Sequence, residues 1–326
     1  MLTDSFNRLH NYLRISLTDH CNLRCAYCMP EEGYFFTKQD QLMTAEEIFT
    51  LGAVFVKLGV TKIRLTGGEP LVRKDFPIIY EKLASLPIDL HLTTNGVLIH
   101  ENIDLLKKYG CRSINLSLDT LNADTFLLLT RRNYFQQVYN NMFMLLNNGF
   151  HVKVNVVVMK GINDQEINDF IELSRLLPID IRFIEFMPFE GNYWDATKVF
   201  TMSEILETIQ TKFNYEALSH EKNDTAKRFK IEGHRGSFSI ISTMTKPFCG
   251  DCNRIRLTAD GKLKNCLFSK SETDLRTPLR EGKPVEVLIH ECIRQKSAML
   301  GGQINVNYED LSAQEIKNRS MISIGG

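Results

Sequence analysis

The sequence lacks an excess of charge of either sign, and it lacks any long apolar run. Its 326 residues include 39 Lys and Arg against 39 Asp and Glu, so the formal net charge is zero. A neutral chain is not expected to bind nucleic acid or a membrane surface broadly, although this does not exclude a local basic pocket for one anionic substrate. No apolar stretch approaches the roughly 20 residues that a membrane-spanning helix needs.

Targeting and low-complexity segments are missing as well. Residues 1–6 carry neither the basic nor the apolar part of a secretory signal peptide, so we expect a cytoplasmic protein. The hydrophobic content of 43% is enough for a large buried core, as one big domain or as one domain with a smaller partner. The chain has eight cysteines, and thiols that bind metal need a reducing compartment.

The first set of cysteines, Cys21, Cys25 and Cys28, has a C-x3-C-x2-C spacing. A [4Fe–4S] cluster contains four irons, each normally held by a Cys thiolate, so three thiolates leave one iron open to bind a small molecule. The alternatives are a zinc knuckle or three buried thiols. Zinc favours four ligands in C-x2-C pairs, and no fourth ligand lies nearby, so the spacing indicates a cluster that takes part in a reaction.

The second set, Cys249, Cys252 and Cys266, has a C-x2-C-x13-C spacing. Considered alone, it would indicate part of a zinc site. In a chain that already has the pattern for one cluster, a second three-Cys cluster with an open iron is the better interpretation. The remaining two, Cys111 and Cys292, are surrounded by ordinary core sequence, and we expect them to be buried, unreactive thiols.

Strand-like and helix-like segments alternate through the first two-thirds of the chain. Six β-branched, apolar runs predict strands at residues 12–17, 62–66, 89–93, 112–118, 152–158 and 179–186. Amphipathic segments between them predict helices at residues 44–58, 76–86, 101–109, 134–148 and 164–177. Such units build a parallel sheet, and six of them predict an α/β fold with a partial, TIM-like (β/α)6 barrel.

Polar and glycine-rich segments follow these strands at their carboxyl ends. Each is a turn when considered alone, because Gly, Asn and Pro are the residues that turns need. In a barrel, however, the carboxyl ends of the strands share one mouth, where active sites lie. The sequence therefore predicts an active site formed by the first cysteine set and by residues 66–70, 93–96, 117–119, 160–163 and 185–188.

The pattern changes after residue 200. A helix at residues 202–213 precedes a strand-rich part, with strands at 238–242 and 255–258, a hairpin turn at Asp260-Gly261, and helices around 285–296 and 313–318. We therefore expect a barrel domain at residues 1–200. Residues 201–326 are expected to form an α+β extension that carries the second cluster and ends in Gly-Gly.

The first cysteine set and the turn Gly67-Gly68-Glu69-Pro70 resemble the signature of the radical S-adenosylmethionine (SAM) enzymes. A more specific resemblance covers almost the whole chain. The second cysteine set followed by Asn-Arg-Ile-Arg at 253–256, together with the Gly-Gly tail, is similar to the GTP 3′,8-cyclase family, which begins molybdenum cofactor biosynthesis. Other matching segments are residues 12–19, 63–73, 93–96, 114–119, 152–155 and 182–187. The departures, at His20 and Ile255, are conservative.

The resemblance implies two [4Fe–4S] clusters, one held by each cysteine set. SAM would bind the open iron of the first cluster and contact Tyr27, Gly68, Ser117 and Met187. GTP would bind with its guanine at the open iron of the second cluster and contact Arg14, Arg64, Thr93, Lys153, Arg254, Ile255 and Arg256. The tail would thread into the active site, and catalytic roles would fall to Arg14, Gly325 and Gly326.

Elementary physical chemistry supports parts of this set. A residue without a Cβ at position 68 lets the backbone approach a ligand closely. Several cationic side chains at or near strand ends are costly to gather unless an anion such as a triphosphate is present, and Arg binds phosphate through a bidentate fork. The alternative is that Arg14 and Arg64 pair with carboxylates such as Asp19 or Glu69.

The resemblance also implies a reaction. An electron enters the first cluster and cleaves SAM to methionine and a 5′-deoxyadenosyl radical, which removes the hydrogen at C3′ of GTP. The carbon radical attacks C8, and reduction then gives 3′,8-cyclo-7,8-dihydroguanosine triphosphate. The protein positions and shields the reacting atoms.

The partners implied are an electron donor such as flavodoxin or ferredoxin, the next enzyme of the pathway (cyclic pyranopterin monophosphate synthase), and a second copy of the chain in a homodimer. Two competing hypotheses remain. One is a radical SAM enzyme with an auxiliary cluster that acts on a different substrate, such as a peptide. The other is a non-enzymatic metal-binding or iron–sulfur sensor protein.

Overall fold

A sheet of twelve strands organises the part of the chain that the structure, a computed structural model, describes: residues 1–29, 34, 36–304, 307–313 and 316–325. Its six central strands are parallel and lie in chain order. They are β1 Tyr12–Ser16, β2 Lys62–Thr66, β3 Asp89–Thr94, β4 Ser113–Ser117, β5 His151–Val158 and β6 Ile179–Glu185. Each agrees with a predicted strand to within one residue at either end, so the predicted (β/α)6 sheet is confirmed.

Helices connect these six strands. They are α1 Ala45–Lys57, α2 Phe76–Ala84, α3 Ile99–Lys108, α4 Ala123–Thr130, α5 Phe135–Asn147 and α6 Ile167–Leu176. The sequence pattern does not predict α4, because two of its apolar residues, Leu127 and Leu128, are exposed and obscure the periodicity. The Asn122 side chain caps this helix by accepting from the N–H groups of Asp124 and Thr125 at 2.9 and 3.0 Å.

The strands after residue 200 extend the same sheet at both edges. They are β7 Tyr215–Ala217, β8 Lys227–Ile231, β9 Ser237–Ile241, β10 Arg254–Leu257, β11 Lys262–Lys264 and β12 Thr273–Asp274. On one edge β9 lies parallel to β6 and is followed by β8 and β7, whereas on the other edge β10 lies parallel to β1 and is followed by β11 and β12. The hairpin turn predicted at Asp260-Gly261 joins β10 to β11 and is confirmed.

The remaining helices are α7 Met202–Gln210, α8 Arg276–Arg280, α9 Glu286–Arg294 and α10 Met321–Ile324. Of the helix predicted at residues 313–318, residue 313 has 3-10 helical conformation and residues 316–318 have no regular structure, while residues 314 and 315 lie outside the described residues. Strands β7 and β8 are missed by the sequence pattern because exposed polar residues, such as Lys227 and Arg228, dominate them. The division at residue 200 stays a prediction.

The two faces of the central strands carry different residues. Leu13 and Ile15 of β1 are fully buried and belong to the same core cluster as Leu51 of α1. Tyr12 and Arg14 occupy the alternate positions and face the interior of the partial barrel. A parallel strand with apolar groups on both of its faces has a continuous hydrophobic sequence. The central strands alternate apolar and polar residues instead, which indicates that the barrel interior is polar.

None of the helices within the described residues is long and apolar enough to cross a membrane. All eight cysteines are free thiols. The prediction that Cys111 and Cys292 are buried is confirmed, and their sulfurs lie against the carbonyl oxygens of Ser113 and Leu263.

Candidate active site

The two cysteine sets lie at opposite ends of the barrel interior. The first set follows the carboxyl end of β1. Cys252 precedes β10, which runs parallel to β1 with Arg254 opposite Tyr12, and Cys266 follows β11, which runs back in the antiparallel direction. The second set therefore lies at the amino end of the strands, opposite the mouth at which the sequence pattern predicts an active site.

The predicted GTP-binding cations lie along the interior between these two ends. In the sheet register, Arg14 of β1 has Arg64 of β2 on one side and Arg256 of β10 on the other. Arg254 and Lys153 lie near the amino ends of their strands. These cations can lie along the interior because alternate residues along the whole inner face of a strand line it.

The three cysteines of the first set are half-buried and lie close enough to influence one another. Burial raises the pKa of the Cys21 thiol to about 11, and burial together with the sulfurs of Cys28 and Cys21 raises the pKa of Cys25 well above its usual value. The backbone N–H of Leu23 and the amide of Asn95 donate to the Cys21 sulfur at 3.4 and 3.6 Å. Three soft donors within electrostatic reach of one another, with N–H groups directed at sulfur, fit an iron–sulfur cluster.

Glu69 joins the ends of β2 and β3 next to this set. Its fully buried carboxylate accepts from the Leu71 N–H at 3.0 Å, the Thr94 hydroxyl at 2.8 Å and the Asn95 N–H at 2.7 Å. Burial raises its pKa to about 7, against the lowering effect of these hydrogen bonds. The hydrogen bonds of Glu69 therefore stabilise the loops that follow β2 and β3. Glu69 does not form an ion pair with Arg64, so that alternative is wrong.

The residues predicted to contact SAM all lie at the carboxyl ends of strands. Gly68 follows β2, Ser117 is the last residue of β4, and Met187 lies two residues after β6. The Tyr27 hydroxyl donates to Asp119, just after β4, at 2.5 Å. The structure thus brings Tyr27, Gly68, Ser117 and Met187 to the same end of the sheet as the first cysteine set.

Asp119 belongs to the predicted mouth at residues 117–119, but the family resemblance assigns it no role in binding SAM or GTP. It accepts from Tyr27 through one oxygen and from the Val157 N–H at 2.8 Å through the other. Burial raises its pKa to about 6, although both hydrogen bonds act in the opposite direction. In the sequence, Asp119 directly follows the strand predicted at residues 112–118, which is why it falls at the predicted mouth.

The structure explains the glycine at position 68 by close packing against the backbone of residues 19 and 20, whereas the sequence indicates close approach to a ligand. A Cβ at this position would lie 2.4 Å from the carbonyl oxygen of His20 and 2.7 Å from that of Asp19. The Gly68 N–H donates to the Thr18 carbonyl at 2.6 Å, and the next N–H, of Glu69, donates to His20 at 2.8 Å. The glycine therefore lets the turn after β2 pack against the backbone that leads into the first cysteine set.

Gly68→Ala is expected to lower the free energy of unfolding by about 1–3 kcal/mol, the usual cost of forcing extra atoms into a packed site. It should also reduce iron loading of the first set, because the His20 backbone must move. Gly250→Ala is the matched control, since a Cβ there meets no atom within 4 Å. Urea unfolding and iron analysis of both variants would check this, and equal stability of the two would contradict it.

The interior between the two sets carries an excess of positive charge. Burial and the neighbouring Arg254 lower the pKa of Arg256 to about 10, and burial and Arg182 lower the pKa of Lys153 to about 8. Burial and Arg256 also lower the pKa of Arg14. Asp180 opposes this effect at Lys153, but burial and the neighbouring cations outweigh it, so the interior is suited to a multiply charged anion.

Tyr12 and Arg182 are interior residues that the predicted site does not include. The Tyr12 hydroxyl accepts from the Arg64 Nε at 2.6 Å. Burial alone would raise the Tyr12 pKa, but Arg64 and Arg14 outweigh it and lower that pKa to about 7. Arg182 lies on β6 beside Asn155 of β5. The alternation of polar and apolar residues in Tyr12-Leu13-Arg14 and in Ile181-Arg182-Phe183 is the sequence signal that could have found both.

Thr93 and Ile255 differ in how they relate to this interior. The Thr93 hydroxyl lies 3.5 Å from an Arg64 nitrogen that donates to it. Ile255 is fully buried in the core cluster that also contains Leu13, its partner in the register with β1. Its side chain therefore points away from Arg254 and Arg256, and the structure does not bring it into the interior.

The second set is in contact with two further elements. The Leu300 N–H donates to the Cys249 sulfur at 3.4 Å, and the Lys296 ammonium donates to the Cys252 sulfur at 3.5 Å. Burial opposes ionisation of Cys252, but Lys296 and Arg254 lower its pKa to about 7. Among the described residues, no three His, Cys, Asp or Glu side chains are arranged to hold a metal ion. An iron–sulfur cluster does not need its cysteines around a single metal ion, because each cysteine binds a different iron. The three sulfur donors of the second set are therefore suited to an iron–sulfur cluster.

The tail enters the barrel interior at the end that carries the first cysteine set. The Gly325 carbonyl accepts a hydrogen bond from Arg256, and Ile324 is buried. Gly325 has a φ of +87°, and a Cβ on it would lie 2.4 Å from the Thr66 hydroxyl and 3.1 Å from the Ser16 Cβ. It therefore lies against the carboxyl ends of β1 and β2. Gly326, also predicted to be catalytic, lies outside the described residues.

Comparisons with known proteins agree with this architecture. The model of the radical SAM superfamily matches residues 15–174, and a model named Molybdenum Cofactor Synthesis C matches residues 179–300. Streptococcus suis SuiB bound to S-adenosylmethionine has the same fold, with a TM-score of 0.65 at 14% identity over 94% of this chain and 72% of that one. Fold and cysteine pattern thus define a radical SAM protein.

Sequence relatives specify the family. The mitochondrial GTP 3′,8-cyclase of Arabidopsis thaliana is 46% identical over 100% of this chain and 84% of its own length. The GTP 3′,8-cyclase of Desulforamulus reducens is 43% identical over 90% of this chain and 94% of its own. The chain belongs to the GTP 3′,8-cyclase family. It spans about half of the human molybdenum cofactor biosynthesis protein 1, with 46% identity over 51% of that protein.

Proposed function

We propose that the protein is a radical SAM lyase that converts GTP into (8S)-3′,8-cyclo-7,8-dihydroguanosine 5′-triphosphate, the first step of molybdenum cofactor biosynthesis. The observation that carries this proposal is the run of cationic side chains inside the barrel, between two three-cysteine sets. A triphosphate supplies the negative charge that this interior needs. Membership of the GTP 3′,8-cyclase family supports the same substrate.

The cysteine sets would each hold a [4Fe–4S] cluster. Cys21, Cys25 and Cys28 leave one iron open for SAM, and Cys249, Cys252 and Cys266 leave one open for the guanine of GTP. When bound, the first cluster and SAM supply the radical that takes the hydrogen from C3′ of the ribose. The chain's own contribution is to orient the two substrates and to keep water away from the reacting atoms.

The SAM site of the proposal consists of residues at the carboxyl ends of the strands: Tyr27, Gly68, Ser117 and Met187. Their common position beside the first cysteine set supports this. Tyr27 is held by its hydrogen bond to Asp119, so its ring has a defined orientation next to Cys28. An aromatic ring with one fixed edge is suited to contact the flat adenine of SAM.

The GTP site of the proposal consists of Arg14, Arg64, Thr93, Lys153, Arg254, Ile255 and Arg256. For Ile255 only its backbone is proposed, because its side chain is in the core. The mutual lowering of the pKa among these cations supports an anion there. Arg182, whose charge lowers the pKa of Lys153, also belongs to the proposed interior.

Replacing Arg254 or Arg256 by Ala is expected to weaken GTP binding by about 1.5–3 kcal/mol each, the range for a charge-assisted hydrogen bond. That corresponds to a Kd roughly ten- to a hundredfold higher. Affinity for SAM should be unchanged, because SAM lies at the other end of the interior. Arg228→Ala, on exposed β8, is the control. Anaerobic isothermal titration with each ligand measures both, and a matching loss of SAM affinity would indicate damage to the fold instead.

The function itself is tested by anaerobic incubation with GTP, SAM and dithionite. Loss of a hydrogen atom followed by return of an electron and a proton leaves the formula of GTP unchanged, so the nucleotide mass alone does not identify the product. GTP deuterated at C3′ resolves this: deuterium should leave the nucleotide and appear in 5′-deoxyadenosine. If 5′-deoxyadenosine forms without deuterium and GTP is recovered, the protein is a radical SAM enzyme for another substrate.

Further parts of the proposal concern partners and location. An electron donor such as flavodoxin or ferredoxin would reduce the first cluster, and cyclic pyranopterin monophosphate synthase would take the product. We also propose a homodimer, a cytoplasmic location, and a division into a barrel at residues 1–200 and a cluster-bearing extension at 201–326. Eight unpaired thiols support a reducing compartment.

A further inference from the structure

A buried lysine contacts the second cysteine set. Lys296 follows α9, and only 4% of it is exposed. Its ammonium group donates to the Cys252 sulfur at 3.5 Å and to the Arg254 carbonyl at 2.8 Å. It therefore touches a proposed cluster ligand and the backbone of a proposed GTP-binding residue at once.

The charge of Lys296 has no carboxylate partner among the described residues. The ion pairs of that part of the chain involve other lysines, such as Lys264 with Glu272 and Lys262 with Asp274. A buried ammonium group is costly unless a negative group compensates it. The contact with Cys252 indicates that the compensating charge is thiolate sulfur.

The amino-terminal segment fixes this contact. The Arg8 guanidinium donates to the Cys249 carbonyl at 2.8 Å and to the carbonyls of Ser297 and Ala298 at 2.8 and 2.7 Å. Arg8 is itself held by Asp4 at 2.7 Å. One guanidinium thus ties the loop of the second set to the turn that follows Lys296, so the position of the ammonium next to Cys252 is built into the fold.

We propose that Lys296 is a positioning residue that raises the reduction potential of the second cluster through its charged hydrogen bond to Cys252. This rests on the second cluster of the proposed function. One-electron reduction adds a negative charge to a cluster, and hydrogen bonds and positive charge at its sulfurs favour the reduced state. The first set lies at the opposite end of the interior, so its potential should not depend on Lys296.

The test is a redox titration, monitored by electron paramagnetic resonance, of anaerobically prepared protein. Three variants are compared with the unchanged protein: Lys296→Met removes the charge, Lys296→Arg keeps it, and Lys283→Met removes the charge of an exposed lysine paired with Glu281. Addition of SAM assigns the signal of the first cluster, and addition of GTP assigns that of the second.

We expect Lys296→Met to shift the midpoint potential of the second cluster to more negative values and to leave that of the first unchanged. Lys296→Arg keeps the charge, so the midpoint potential of its second cluster should stay close to that of the unchanged protein. Lys283→Met should change neither midpoint potential. An unshifted second cluster in Lys296→Met overturns the inference, as does an equal shift of both clusters.

If Lys296→Met does not assemble the second cluster, Lys296→Gln takes its place in the titration, because Gln keeps an N–H donor but has no charge. If the midpoint potential of the second cluster is more negative in Lys296→Gln than in Lys296→Arg, the inference is supported. Equal midpoint potentials in these two variants overturn it. If neither uncharged variant assembles the cluster, Lys296 acts in assembly and the inference is wrong. If the unchanged protein holds only about four irons, the proposed second cluster itself has failed, which is a separate result.

Discussion

Cys25→Ser is expected to abolish cleavage of SAM, whereas Cys266→Ser should leave part of that cleavage and abolish cyclisation of GTP. The reason is the separation of the two cysteine sets, which lie at opposite ends of the barrel interior. Loss of a ligand at the first set removes the group that passes an electron to SAM. Loss of a ligand at the second set disturbs only the place where the guanine is expected to bind.

Iron content and two product assays measure this result. The unchanged protein should hold about eight irons per chain, and each Cys variant about four. Cys111→Ser is the matched control, because that thiol is buried against the Ser113 carbonyl and belongs to neither set, and it should keep the full iron content. Stoichiometric zinc at the second set in anaerobically prepared protein would contradict the prediction, as would full GTP turnover by Cys266→Ser.

Deleting Gly325 and Gly326 is expected to lower the rate of cyclisation by at least about tenfold, since misplacing reacting groups by ~1 Å can cost ~100-fold. The fold, both clusters and substrate binding should be largely kept. The physical reason is that the Gly325 carbonyl accepts from Arg256, which the tail thereby orients. Gly325→Ala should have a similar effect, because its Cβ would lie 2.4 Å from the Thr66 hydroxyl.

Gly282→Ala is the matched control for the tail. Gly282 also has a positive φ, of +69°, but no atom lies within 4 Å of an added Cβ, so it tests left-handed backbone strain without the steric clash. It should cost a little stability and leave the cyclisation rate unchanged. Hydrogen exchange should show the tail more protected with GTP and SAM bound. A truncated protein that turns over at the full rate would show that the tail is an ordinary chain end.

The sequence alone predicted the central strands and their order. Each of the six combines β-branched residues with flanking helical periodicity, and local patterns of this kind do not depend on distant parts of the chain. The two cysteine sets could also be predicted from the sequence, because the cysteines of each set are close to one another along the chain. Lys153 lies between Val152 and Val154 in the sequence, so the alternation of a strand puts it on the opposite face from them. In the structure both valines are buried in the core, and the charge of Arg182 lowers the pKa of Lys153.

Tertiary structure decided what depends on residues far apart in the chain. The pairing of β10 with β1 and of β9 with β6 places the second cysteine set at the amino end of the barrel, which no local pattern encodes. The same pairing turns the Ile255 side chain into the core and brings Arg256 beside Arg14. The lowered pKa of Tyr12 and the contact of Lys296 with Cys252 likewise require side chains from separate strands and helices to meet in a buried place, where charges are weakly screened.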